Sequence, residues 1–471
     1  MGTAMNFYDV VRERAQRWPA SVAVDCGSER LTFVALIGQA EARAAELQRL
    51  GLRTGMGLGI VDHNGPGFIV SMLAGLKCGA VVMPIADNLT KAERAAAVEG
   101  AGLHAVLEQS TAAELSIGGG PFALCLHKRD HASIAPHVPD AAFIRFTSGT
   151  TGTSKGVVIG HRSVVARVEA ANKGLQLGEG DAVVWVLPMA YHFVVSVMLY
   201  LYFGVTIVLA DDLTAASIIE AADRSGARML YASPMHVRML VSDEGCTTLG
   251  PLERVISTSA GLPVDLCHRF HLKFGRPVYQ AFGIIEVGLP IINADGAAQH
   301  PEAVGHVLPD FQAAILDESL NPLPDGNMGQ LALKGPGLFD GYLSPPSLRA
   351  DNLHNGWFLT GDLAIRSPDG LITIAGRSKS VINVAGNKVF PEEVEAVLLL
   401  HSAVRGCRVH GGKHPLLGEV VEADVVLNDG AVGDAEDLIA HCRTSMAAFK
   451  LPQRIRFVDE LEMTTTGKVK R

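Results

Sequence analysis

At 471 residues the chain exceeds what one hydrophobic core serves, so it is expected to divide into two or more domains. Apolar residues at 48% against 19% charged exclude a disordered chain, and a formal charge of −9 argues against a broad nucleic-acid-binding face. Seven cysteines (Cys26, Cys78, Cys125, Cys246, Cys267, Cys407, Cys442), with no CxxC pair and no Cys/His cluster, read as reduced thiols in a cytoplasmic protein without structural zinc. The first residues lack the basic-then-apolar layout of a signal peptide, and Met5 is a candidate natural start.

In chain order, apolar runs rich in Val and Ile alternate with Ala-rich amphipathic stretches from about residue 20 to 260. The run 57–61 precedes 67–77, and the run 80–85 precedes a helical 90–100. That alternation predicts parallel sheet with crossover helices. A strand-like 142–146 then leads into ten residues that are almost all hydroxyls and glycines with one lysine, Thr147-Ser148-Gly149-Thr150-Thr151-Gly152-Thr153-Ser154-Lys155-Gly156. Glycine lets backbone approach an anion, Thr and Ser donate hydrogen bonds, and Lys adds mobile positive charge, so the segment is a candidate polyphosphate cradle. It departs from the Walker loop, because only two residues separate Gly149 from Gly152 and Lys155 comes three later. The cradle lies between an apolar strand and a helix-like 157–168, a setting a flexible linker seldom occupies.

The 29 residues 182–210 contain no Asp, Glu, Lys or Arg. That is long enough for a bilayer, but Pro188, His192 and Gly204 interrupt it, and strand-like runs 183–187 and 205–209 open and close it. It is expected to be strand, buried helix and strand rather than a membrane span. After Gly305 closely spaced strands with Gly/Pro/Asp turns suggest an antiparallel, barrel-like region. After Gly376-Arg377 the pattern changes again. A strand, helix 391–400, strands 404–410 and 420–427, helix 435–445 and a short strand 454–458 make a small α+β domain.

Five further segments follow the cradle in order: Phe282-Gly283-Ile284-Ile285-Glu286; Gly335-Pro336-Gly337-Leu338-Phe339-Asp340-Gly341-Tyr342; Trp357-Phe358-Leu359-Thr360-Gly361-Asp362; Gly376-Arg377-Ser378-Lys379-Ser380, leading to Gly386 and Pro391-Glu392-Glu393; and Thr464-Thr465-Thr466-Gly467-Lys468. Together they resemble the acyl-adenylate-forming superfamily of acyl- and aryl-CoA synthetases, peptide-synthetase adenylation domains and firefly luciferase. The resemblance spans essentially the whole chain. It implies an α/β fold with a large N-terminal domain (1–377) of parallel-sheet α/β subdomains plus a distorted β-barrel. A small, mobile α+β C-terminal domain (378–471) would carry the catalytic lysine.

The same resemblance implies two half-reactions. A carboxylate attacks the α-phosphate of ATP to give acyl-AMP and pyrophosphate, and a thiol then takes the acyl group as a thioester. Thr147 to Lys155 would hold the β- and γ-phosphates and Glu286 magnesium. Asp362 would accept from both ribose hydroxyls, with Arg377 donating nearby. Phe282 would stack on adenine, with Gly283, Ala260 and Gly261 also assigned to the nucleotide. Lys468 would stabilise charge at the α-phosphate, Lys379 would be the hinge, and Gly386 would let the thiol arm pass. His192 would stand at the mouth of the acyl pocket.

Phe193, Val194 and Val195 occupy the region where amino-acid-activating relatives carry an aspartate, which argues against a free α-amino acid substrate. Phe193, Val197, Tyr231, Ile284, Val287 and Gly288 would line a pocket for an apolar aliphatic or aromatic acid. Ile285 stands where most relatives have Thr or Ser, a lost donor worth about 2–4 kcal/mol if nothing replaces it. The chain ends at Arg471, earlier than relatives, which predicts a more mobile Lys468 loop. The expected partners are ATP, Mg2+, a small carboxylic acid and CoA, with no nucleic acid and no membrane span. The phosphopantetheine of an acyl carrier protein is the alternative acceptor, and a non-catalytic nucleotide- or acyl-binding homologue the remote alternative.

Overall fold

A computed structural model describes residues 5–109, 115–116, 121–127, 129, 132–146, 155–385, 387–415 and 417–462. The alternating pattern of the first half builds two sheets. In one, Val22–Asp25, Thr206–Leu209, Ala182–Trp185, Met229–Ala232, Arg254–Ser257 and Val278–Ile284 lie side by side and parallel. In the other, Ala105–Gln109, Gly57–Val61, Val81–Ile85 and Ala141–Phe146 are parallel neighbours. Strands buried on both faces need continuous apolar runs, which is what these sequences supply. Helices bridge most of the connections between these strands, and some carry legible end signals. Thr90 and Glu93 form a reciprocal capping box at Lys91–Ala101, and Pro66 opens Pro66–Lys77.

The main core joins both sheets through the helices between them: Leu58, Val82 and Phe143 from one, Val183, Ile207 and Tyr231 from the other. A second core covers the far face of the first sheet, where Val184, Leu230 and Val255 pack against the helices Ala215–Ser225, Pro234–Ser242 and Val264–Phe274.

The uncharged stretch 182–210 is strand Ala182–Trp185, a short helix Met189–His192, one π turn Phe193–Val197, helix Met198–Phe203 and strand Thr206–Leu209. Among the described residues no helix is long and apolar enough to cross a membrane. One expectation is corrected. The segment 157–168 is not helical throughout: Gly156–Gly160 is a fully buried strand antiparallel to Ala141–Phe146, and the helix is His161–Leu175. Val157, Val158 and Ile159 are β-branched and buried, so pairing outweighs the helical reading.

Beyond Gly305 the closely spaced strands form an antiparallel four-stranded sheet of Gln312–Leu316, Met328–Lys334, Phe358–Arg366 and Ile372–Arg377. The small C-terminal part has its own sheet, with Val404–His414 antiparallel to Gly418–Leu427 and Arg454–Phe457 parallel to the latter. Pro391–Leu398 and Ala435–Arg443 supply Val394, Leu398, Leu438 and Cys442 to its core. All seven cysteines are free, and burial pushes the Cys78 and Cys442 thiols up to about 11, as inert packing thiols require.

Candidate active site

Glu286 sits in a tight turn. Strand Val278–Ile284 pairs antiparallel with Gly288–Ile292, and the Val287 amide donates to the Ile284 carbonyl (3.1 Å). Gly288 has φ +98°, a left-handed value that suits glycine at the return. The segment Gly335–Tyr342 packs against this turn, with the Phe339 amide donating to the Glu286 carbonyl at 2.7 Å. The same segment ends as a strand, Gly341–Tyr342, paired with Val157 and Val158 just after the cradle. The Tyr342 hydroxyl donates to Glu286 Oε1 (3.3 Å), and Lys155 Nζ lies 4.6 Å from the centre of the Tyr342 ring. Three motifs distant in sequence thus meet around Tyr342.

A buried arginine fastens that convergence. Arg167, on His161–Leu175 and 0% exposed, donates from Nε and Nη2 to the Gly337 carbonyl (3.0 and 2.6 Å) and from Nη1 to the Ile285 carbonyl (3.1 Å). Gly337 has φ +68°, and a Cβ there would lie 2.5 Å from Arg167 Cβ, so glycine is required on both grounds. Asp340 anchors the other end of the segment through the Gly160 amide (2.6 Å), the Ser163 hydroxyl (3.0 Å) and Arg349.

Asp362 is 4% exposed on strand Phe358–Arg366, directly across the ladder from Arg377, whose Nε donates to its Oδ1 at 3.0 Å. Gly361 before it has φ +77°, and the Asp362 amide donates to Thr360 Oγ1 at 3.0 Å, so the tight turn is held by its own threonine. Lys379 is exposed in a single 3-10 turn, Ser378–Ser380, and Ser378 Oγ donates to the Gly361 carbonyl (3.1 Å).

His192 ends its short helix with Nε2 3.4 Å from Ser259 Oγ and its ring edge-on to Trp185 (5.9 Å). Ser259 has φ +75°, unusual for a side-chain-bearing residue, and strained backbone of this kind gathers at functional sites. Ala260 and Gly261 follow it in exposed loop; Phe282 is half-buried and Gly283 exposed. Of the expected acyl-pocket residues, Tyr231 stacks on Trp185 (5.9 Å, 8°), and Val287 and Gly288 are buried beside the Glu286 turn. Ile284 is half-buried. Phe193 and Val197 lie in the main core, Phe193 against Phe68 (5.5 Å) and Phe143 (5.9 Å). Thr147, Ser148, Gly149, Thr150, Thr151, Gly152, Thr153, Gly386 and Lys468 lie outside the described residues.

The electrostatics suit a polyanion carrying a divalent cation. Burial pushes the Glu286 carboxyl above its ordinary value, against the pull of Tyr342, Arg145 and Arg377. A cation beside it would offset that cost. Among the described residues no group of three or more His, Cys, Asp or Glu could hold a metal alone. One carboxylate plus substrate phosphates is the usual way magnesium is held, and the residues fit that arrangement. Arg167, Arg145, Tyr342 and Asp340 were not singled out from sequence. The available signal was Arg167 on the same helical face as the buried Val164, Val168 and Ala171, a charge inside an apolar stripe.

The chain matches the family model "AMP-binding enzyme" over residues 11–343 and "AMP-binding enzyme C-terminal domain" over 393–468. It is 29% identical to a sulfoacetate–CoA ligase of Cupriavidus necator, covering 98% of this chain and 96% of that one. It is 26% identical to a feruloyl-CoA synthase of Amycolatopsis sp, covering 97% and 96%. The crystal structure of an ATP-bound RpMatB-BxBclM chimera superposes with a TM-score of 0.85 at 25% identity, over 99% of this chain and 97% of that one. A match across both parts of the chain, with the motifs converging on one site, leads to one conclusion: this protein belongs to the AMP-binding enzyme family.

Proposed function

We propose that the protein is an ATP-dependent acid–thiol ligase that adenylates a carboxylic acid lacking an α-amino group and transfers the acyl group to CoA. The observation that carries this reading is the meeting of Lys155, Tyr342 and Glu286 at one point, with Asp362 and Arg377 paired nearby. The site offers a cation for phosphate, a half-buried carboxylate for magnesium and a buried carboxylate for ribose. The names of two relatives, a sulfoacetate–CoA ligase and a feruloyl-CoA synthase, support CoA as acceptor over a carrier protein. Near His192 the apolar Phe193, Val194 and Val195 offer no carboxylate to an ammonium group, which supports an acid without one.

In the first half-reaction the acid's carboxylate oxygen bonds to the α-phosphorus, and the bond to the departing pyrophosphate breaks, taking its electron pair with it. Lys155 and the residues of the cradle hold the departing phosphates. Asp362 accepts from the ribose hydroxyls, Arg377 orients Asp362 and donates beside it, and Phe282 presents a ring face to adenine. Glu286 would hold magnesium, which supplies charge neutralisation on the phosphates. In the second half-reaction the thiol sulfur bonds to the acyl carbon, AMP leaves, and the thiol proton passes to solvent. The chain divides at 377/378, and Lys379 is the hinge that carries Lys468 towards the α-phosphate and away again, bringing Gly386 to the thiol path.

The test is pyrophosphate exchange across fatty, aryl and amino acids, followed by CoA thioester formation. Lys468→Ala is expected to abolish exchange while leaving thiolysis of supplied acyl-AMP largely intact. Exchange with no acid sinks the reading, exchange strongest with an amino acid sinks the pocket argument, and equal loss of both steps in the variant sinks the two-orientation account.

A further inference from the structure

Strand Ala141–Phe146 ends one residue before the phosphate cradle, and its Arg145 has no counterpart among the roles assigned above. The side chain lies against Tyr191: the guanidinium carbon stands 5.2 Å from the ring centre and Nη1 donates to the Tyr191 carbonyl. Its Nε is buried, without a hydrogen-bond partner among the described residues. The charge of Glu286 reaches it. Tyr191 in turn precedes His192, which faces Ser259. Arg145 therefore stands between the Glu286 turn and the His192 helix, where nucleotide and acid must meet.

A half-buried guanidinium whose Nε is shut away from water without a partner is expensive unless an anion arrives to satisfy it. Burial pushes Arg145 down to about 10, still well above neutrality, so it stays charged and passes no proton. The anion expected at the junction is the α-phosphate, and Ile285 leaves that group without the hydroxyl donor its position would otherwise supply. We infer that Arg145 is a further catalytic residue whose guanidinium donates to the α-phosphate oxygens of the bound nucleotide, replacing the donor missing at Ile285. The inference rests on the adenylating function proposed above. As the acid oxygen bonds to phosphorus and pyrophosphate leaves, Arg145 stabilises the charge gathering on the non-bridging oxygens.

The test compares binding of AMP and of adenosine to the full-length wild type, Arg145→Met and Arg145→Lys, together with pyrophosphate exchange and thermal unfolding. Arg145→Met is expected to weaken AMP about tenfold or more while leaving adenosine unchanged. It should lower the exchange kcat by about a hundredfold with little change in KM for the acid, at an unchanged or raised Tm. Arg145→Lys should recover part of the AMP affinity. Equal weakening of AMP and adenosine, a lowered Tm, or a loss confined to acids bearing a second anionic group overturns the inference. The AMP–adenosine difference is read without any acid. A wild type that binds AMP through Arg145 yet forms no thioester would therefore count against the proposed function and not against this assignment.

Discussion

Replacing Arg167 with methionine removes the clamp between the Gly335–Tyr342 segment and the Glu286 turn. Burial pushes the guanidinium down from its ordinary value to about 10, so keeping it charged inside the core costs about 3 kcal/mol. Against that stand three charge-assisted bonds to the Gly337 and Ile285 carbonyls, worth about 1.5–3 kcal/mol each, or about 5–9 kcal/mol together. Arg167→Met thus forfeits about 2–6 kcal/mol net and leaves two buried carbonyls without their donor. Arg167→Lys restores the charge but not the planar fork that reaches both carbonyls, so it recovers less than half of the loss. Urea unfolding followed by tryptophan fluorescence reads the stability, and the KM for ATP reads the displacement of Glu286. An unchanged urea midpoint together with an unchanged KM for ATP in Arg167→Met would refute the clamp.

Two further outcomes follow from the carboxylates. Glu286 has a raised folded-state value, so it favours the protein below its ordinary value of 4.5 and costs stability as pH rises and ionisation is forced inside the site. Without magnesium, Glu286→Gln should melt above wild type at pH 7–8 and level with it near pH 4, while losing magnesium-dependent exchange; equal melting at both pH values would contradict this. Asp362→Asn keeps the fold of the ladder but loses a charged acceptor opposite Arg377, and its KM for ATP should rise by about ten- to a hundredfold. An unchanged KM would remove Asp362 from the nucleotide site.

The sheets were legible because parallel strands and their crossover helices differ in period and end signals, as at Thr90-Lys91 to Ala101. The run from Val157 was not, because an apolar stretch without alternation fits a buried strand as well as a helix, and only its hairpin partner Ala141–Phe146 decides. Asp362 and Arg377 were both expected at the nucleotide from one resemblance, and the ladder sets them opposite one another. The Tyr342–Glu286 bond joins residues 56 apart, and Arg167 reaches Gly337 across 170 residues. Neither contact has a local signature. A single sequence shows which residue types could serve a phosphate site, whereas the buried arginines that brace it acquire their roles only from packing.

The central claim is that the acid is activated by bonding its own oxygen to the α-phosphorus. The most direct test uses an acid that supports exchange, labelled with oxygen-18 in its carboxylate, with ATP and CoA, followed by mass spectrometry of the nucleotide product. AMP carrying one labelled oxygen, with unlabelled pyrophosphate, is the predicted result. Unlabelled AMP, or ADP with the label in inorganic phosphate, would contradict it.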